Sequence, residues 1–176
     1  MGLYLFESAL QDTIKDEAAL SQAVEQFEAA QADVELIEVQ VAQNFERAFL
    51  IVETDQEGEA KQALEASGFP VSLAKEVRIV GQDLDHVKAQ KEKINYLVEW
   101  NLPENLTMDQ YLERKKKNSV HYQEVPEVSF SRTYVCEDMT KCLCFYDAPD
   151  DEAVVRAREA VKAPIDAITE LNPNKK

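Results

Sequence analysis

Glycine is scarce in this chain, four residues in 176, and none forms a phosphate-cradling loop of the GxGxxG or Walker type. Neither a G-x-S-x-G elbow nor an H-E-x-x-H pair occurs, so the common nucleotide, hydrolase and metalloprotease signatures are missing. Two histidines, His86 and His121, are too few for a multi-histidine centre in one chain. Basic residues are also short: 19 Lys and Arg face 34 Asp and Glu, a formal net charge of −15 and a pI near 4.5. Such a surface repels nucleic acid and anionic membranes, so neither is an expected partner. No apolar run reaches the roughly 18 residues of a membrane span, and Met1-Gly2 lacks the Ser or Thr of a myristoylation start because Phe6 stands there. The three cysteines, Cys136, Cys142 and Cys144, are an odd number within nine residues, which excludes a disulfide framework and fits a reducing, cytoplasmic setting.

What the chain does have is a repeat. Tyr4-Leu-Phe-Glu-Ser-Ala-Leu10 aligns with Tyr96-Leu-Val-Glu-Trp-Asn-Leu102, and Phe49 to Val77 aligns with Leu143 to Leu171, pairing Pro70 with Pro164 and Glu76 with Glu170. In the first copy the periodicity predicts strands over Leu3–Ser8, Val34–Ala42 and Arg47–Glu53, with Asn44 in the turn between the last two. It also predicts helices over Glu17–Ala30 and Glu57–Ala66, the latter ended by Gly68 and Pro70, and a strand over Glu76–Val80. In the second copy it predicts a strand over Ile94–Asn101, a helix over Thr107–Lys117, a hairpin of Val128–Cys136 and Lys141–Asp147, a helix over Asp150–Val161 and a strand over Ile165–Leu171. Asp150 and Asp151 suit the start of that helix.

The order β-α-β-β-α-β is the ferredoxin-like arrangement, two helices on one face of a four-stranded sheet. The expected fold is α+β: tandem ferredoxin-like repeats, residues 1–82 and 94–176, joined by a linker over 83–93. Ala48-Phe-Leu-Ile-Val52 and Cys142-Leu-Cys-Phe-Tyr146 are apolar on both faces of their strands, which calls for burial of both. Sheets packed face to face as an internal pseudo-dimer, as in a dimeric α+β barrel, satisfy that pattern, and so does a homodimer. Charge divides unevenly: residues 1–92 carry 19 acids and 7 bases, and residues 93–176 carry 15 and 12.

Candidate chemistry concentrates on the second hairpin. With a turn at Glu137-Asp138-Met139-Thr140, Cys136 ends one strand while Cys142 and Cys144 lie on the next, and their thiolates are soft donors for nickel, copper(I) or zinc. His121 and Glu137 supply an imidazole and a carboxylate, giving His121, Cys136, Glu137 and Cys144 as the candidate metal ligands. Buried cysteines also serve as small hydrophobes, the plain alternative for Cys142 and Cys144. His86, flanked by Asp83 and Asp85, is a weaker ligand candidate. The run Arg114-Lys-Lys-Lys117 offsets a helix dipole at its C-terminus, the alternative being a small anionic ligand. Glu7 and Glu99 occupy equivalent first-strand positions and read as outward-facing glutamates or as a carboxylate pair. Trp100, Phe130, Tyr134 and Phe145 are core residues or the lining of a cavity between sheets.

Tyr96-Leu-Val-Glu-Trp, Ser131-Arg-Thr-Tyr-Val-Cys-Glu-Asp138, Lys141-Cys-Leu-Cys-Phe-Tyr-Asp-Ala-Pro149, Asp151-Glu-Ala-Val154 and Pro164-Ile165 resemble a family of small ferredoxin-like nickel-binding proteins. Tyr134, Glu137, Asp138, Cys144, Tyr146, Ala148 and Pro149 map onto its pattern, and the resemblance implies nickel binding and dimerisation. The first copy departs from it, with Leu50 in place of Cys144, Thr54-Asp55 in place of Ala148-Pro149, and no cysteine. The expected function is therefore a non-catalytic metal- or small-ligand-binding protein, nickel foremost, with no organic cofactor implied. The alternatives are a cofactor-independent enzyme acting on a small molecule between the sheets and a structural or regulatory module whose acidic half docks a partner.

Overall fold

The computed structural model describes residues 2–10, 14–30, 34–81, 84–89 and 94–172. The chain separates into two compact units, Met1–Val77 with Leu171–Lys176, and Arg78–Glu170. Unit one runs β1 (Gly2–Ala9), α1 (Glu17–Ala30), β2 (Glu35–Val41), β3 (Arg47–Thr54), α2 (Glu57–Ala66) and β4 (Val71–Val80), with the boundary between units inside β4. After a short helix, α3 (Leu84–Ala89), unit two runs β5 (Tyr96–Asn101), α4 (Met108–Asn118), a 3-10 helix (Ser119–Glu124), β6 (Ser129–Cys136), β7 (Lys141–Asp147), α5 (Asp151–Ala160) and β8 (Ala167–Glu170). The same order, β-α-β-β-α-β, recurs in both units. Strand order is β2-β3-β1-β4 in the first and β6-β7-β5-β8 in the second, each strand finding its corresponding neighbours.

The helices form where apolar residues recur at helical spacing. Leu20, Ala23, Val24 and Phe27 of α1 are buried against Phe6, Leu50 and Val52 on one face of the unit-one sheet. Glycine's tolerance of positive φ ends α2: Gly68 has φ +103°, and the Phe69 amide donates back to Leu64. In unit two, Thr107 caps α4 in a reciprocal capping box with Gln110, and Asp150 caps α5 by accepting from the Ala153 amide at 2.8 Å. Asn44 accepts from the Glu46 amide in the β2–β3 turn. Leu171 pairs with Ala42, and the Asn172 amide donates to Val41, so the last described residues belong to the sheet edge of unit one.

Both sheet faces are buried in both units, as the doubly apolar strands require. Leu5, Phe49 and Ile51, and likewise Leu97, Tyr134, Leu143 and Phe145, are all at most 1% exposed although they lie on the face away from the helices. Glu7 and Glu99 share that face and are not outward-facing. Each is buried beside a base at the start of the third strand of its unit, Glu7 with Arg47 at 2.6 Å and Glu99 with Lys141 at 2.9 Å. The pairing explains why a carboxylate is tolerated there.

Three elements depart from the pattern-based expectation. β4 begins at Val71, five residues early, because Val71–Glu76 hydrogen-bonds along β1 across a bulge at Glu7 and Ser8. The short α3 and the 3-10 helix lie in stretches too brief for helical periodicity to register. Among the described residues no helix is long and apolar enough to cross a membrane.

Candidate functional site

Strand alternation sorts the hairpin cysteines onto two faces of the unit-two sheet. Thr133 lies opposite Cys144 and Val135 opposite Cys142, so Cys142, Cys144 and Tyr146 point to the helices while Tyr134 and Cys136 point away. The sheet therefore stands between Cys136 and Cys144. Glu137 is in the exposed turn, where both carboxylate oxygens accept from Arg78. His121 is on the 3-10 helix, half-exposed, with Nδ1 2.6 Å from Glu124 Oε2. The structure brings none of these four together into one coordination sphere, and no group of three His, Cys, Asp or Glu side chains among the described residues is arranged to hold a metal. The side chain of His86 lies outside the described residues.

It does assemble a pocket around Cys144. Cys144 on β7 and Trp100 on β5 meet Tyr111, Arg114 and Lys115 of α4, Tyr122 of the 3-10 helix, Arg158 of α5 and Val161 just after it, around a narrow, part-open cavity of about 30 Å³. Trp100 thus faces the helix side of its sheet, not a space between sheets. The aromatic wall is ordered by contact: Trp100 and Tyr111 have ring centres 5.9 Å apart, and Tyr122 stacks on Phe130 at 5.3 Å. Arg114 lies over Trp100 and Lys115 over Phe130, at 5.4 and 4.4 Å from the ring centres.

The residue that sequence reasoning missed is Arg158. It occupies the buried stripe of α5, beside Ala153, Val154 and Ala157, and is 2% exposed. The stripe itself was the available signal, since position 158 follows Val154 by four and falls on the inner face. Its Nη1 donates to Cys144 Sγ at 3.3 Å and to the Tyr146 hydroxyl at 3.0 Å, and its Nη2 donates to the Pro164 carbonyl at 2.5 Å. The Tyr146 hydroxyl in turn meets that of Tyr122 at 2.6 Å. Arg158 Nε, buried, has no hydrogen-bond partner among the described residues.

These neighbours divide the thiols electrostatically. Hydrogen bonding from Cys142 holds the Cys144 thiol well below its usual range despite burial, helped by the charges of Lys115 and Arg158 and by the Thr133 hydroxyl at 3.3 Å. Cys142 is pushed up by the same hydrogen bond and by burial. Burial raises Cys136 as well, and pushes Tyr122 up to about 12. The pocket thus presents a thiolate-favouring cysteine on its floor and cations on its walls.

Solved structures with a similar fold cover nearly the whole chain. One described as a chlorite dismutase, TA0507, matches at TM-score 0.57 and 14% identity over 99% of this chain and 96% of its own. A structure designated a monooxygenase, from Lactobacillus acidophilus NCFM, matches at TM-score 0.57 and 10% identity over 99% and 95%. A heme-binding protein from Thermus thermophilus matches at 0.50 and 14% over 98% and 90%. At such identities these likenesses speak to the α+β fold alone. No curated protein sequence matches the chain. The segment from residue 96 to residue 171, which carries the pocket, the capped helices and the cysteine hairpin, matches the SCO4226-like nickel responsive protein family.

Proposed function

We propose that this is a non-catalytic ligand-binding protein whose ligand, a metal or a small molecule, enters the unit-two pocket over Cys144. The observation that carries this reading is the convergence of the Cys144–Arg158 pair, two further cations and an aromatic wall within the family-matching segment. Among the described residues the pocket lining includes neither carboxylate nor imidazole, and what it offers a ligand is a thiol, three cations and aromatic faces.

A second reading is favoured by the family match: nickel is the ligand, with His121, Cys136, Glu137 and Cys144 as its donors. Because the sheet separates Cys136 from Cys144, this reading draws on a second copy of the chain to complete the sphere, consistent with the homodimer that the doubly apolar sheets also allow.

A nickel titration of the reduced full chain, followed by calorimetry and by thiolate-to-nickel charge-transfer absorption, separates the two. A stoichiometric site lost in Cys144→Ser but retained in Cys136→Ser and His121→Ala supports nickel in the pocket. Loss in all three variants, with association of copies on metal addition, supports the second reading. Absence of a saturable site removes nickel from both and leaves the pocket to a small molecule.

A further inference from the structure

Resting on the pocket reading above, its ligand can be specified from the charge of its walls. Arg114, Lys115 and Arg158 all line the pocket, whereas among the described residues no Asp or Glu does, in a chain whose net charge is −15. Against three cations stands at most one thiolate, that of Cys144. A bare divalent cation is repelled by such a lining, while an anion is drawn in, and more strongly than at an open surface because the walls are partly desolvated.

Arg158 adds a second, independent sign. Its guanidinium is buried, its Nη atoms are engaged, and its Nε–H is left without an acceptor among the described residues. Buried donors are nearly always paired, so Arg158 retains the capacity to donate to one more oxygen. Flat aromatic faces from Trp100, Tyr111 and Tyr122 make up much of the remaining wall. The run Arg114–Lys117 at the end of α4 divides accordingly: Arg114 and Lys115 line the pocket, while Lys116 does not.

We propose that the unit-two pocket binds a small organic carboxylate on a flat apolar body, with Arg114, Lys115 and Arg158 holding the carboxylate and the aromatic residues the body. Cation-anchored carboxylate binding is charge-selective and weakens with salt, whereas purely apolar binding is neither.

Trp100 is the single tryptophan of the chain and lines the pocket, so its fluorescence reports occupancy directly. The full-length protein is titrated with benzoate, benzamide and benzamidinium, which share a ring and differ in charge. The expected result is a saturable Trp100 response to benzoate, at least about tenfold weaker for benzamide and absent for benzamidinium. The double variant Arg114→Gln/Lys115→Gln weakens benzoate by about tenfold or more, while Lys116→Gln on the same helix leaves it unchanged. Benzamide binding as tightly as benzoate, or benzamidinium binding more tightly, overturns the anion assignment and leaves the pocket reading standing. If Lys116→Gln weakens benzoate as much as the pocket variant does, diffuse surface charge is responsible and the assignment also fails. If none of the three probes, nor nickel, perturbs Trp100, both the assignment and the pocket reading fall.

Discussion

Cys144 and Arg158 define each other's charge. An arginine on the buried face of a helix is tolerated because a sulfur, a phenol and a carbonyl receive its hydrogens, and the cysteine is held toward its thiolate first by hydrogen bonding from Cys142 and then by the charges of Lys115 and that arginine. Thiolate absorption in the ultraviolet should therefore set in at lower pH than for an ordinary cysteine, and that low-pH component should disappear in Cys144→Ser. Because the folded pKa lies below the roughly 8.5 of an unfolded thiol, wild type gains stability over Cys144→Ser as pH rises from the folded value to about 8.5. Below the folded value this contribution is gone. Above about 8.5, Cys142, raised in the fold, works in the opposite direction. Denaturant midpoints of the two proteins, compared across the acid-to-alkaline range, check the sign. Arg158→Met removes one donor from Cys144 and one from Tyr146 and should cost about 3 kcal/mol, measured the same way. The cysteines themselves were legible in the sequence, and so was their strand. Their separation onto two faces follows from the period of two and the register, while the pairing of Cys144 with Arg158 needed the packing of α5 on β7, which no local pattern encodes.

At the level of elements, local rules served well wherever a segment was long or punctuated. Helices α1 and α2 match their expected spans because each carries a complete apolar stripe, and the start of α5 is marked by its Asp150 cap. The early start of β4 was hidden because Val71–Lys75 alternates weakly and gains its strand character from pairing with β1. The same caps make a prediction about the site. Thr107 fixes the start of α4, the helix that carries Tyr111, Arg114 and Lys115, so Thr107→Ala should cost about 1 kcal/mol in thermal unfolding and weaken pocket binding without touching a lining residue. Asp150→Ala, on the helix that holds Arg158, should cost a similar amount.

On the scale of the whole molecule, the two units share element order, strand order and a buried carboxylate–base pair at matching positions, Glu7 with Arg47 and Glu99 with Lys141. All three cysteines lie in unit two, as do the basic end of α4 and the pocket over Cys144. The recurring element order was legible because strand and helix periods alternate in the same order twice. The divergence of the two units was legible at a few positions, such as Leu50 where the other unit has Cys144. The end of the chain also returns to its beginning: Leu171, 1% exposed, rests on the β2 edge of unit one. Leu171→Ala should destabilise unit one by about 2–4 kcal/mol, and hydrogen exchange should show the loosening at the β2 edge while α5 stays protected.

That same contact sets an order of events during synthesis. Residues 1–77 are translated before Arg78–Glu170 and contain both α1 and α2, yet the segment that pairs with the Val41–Ala42 end of β2 is made only after all of Arg78–Glu170. Of the two units, the one translated earlier is completed later, and in the interval the Val41–Ala42 end of β2 waits for its partner.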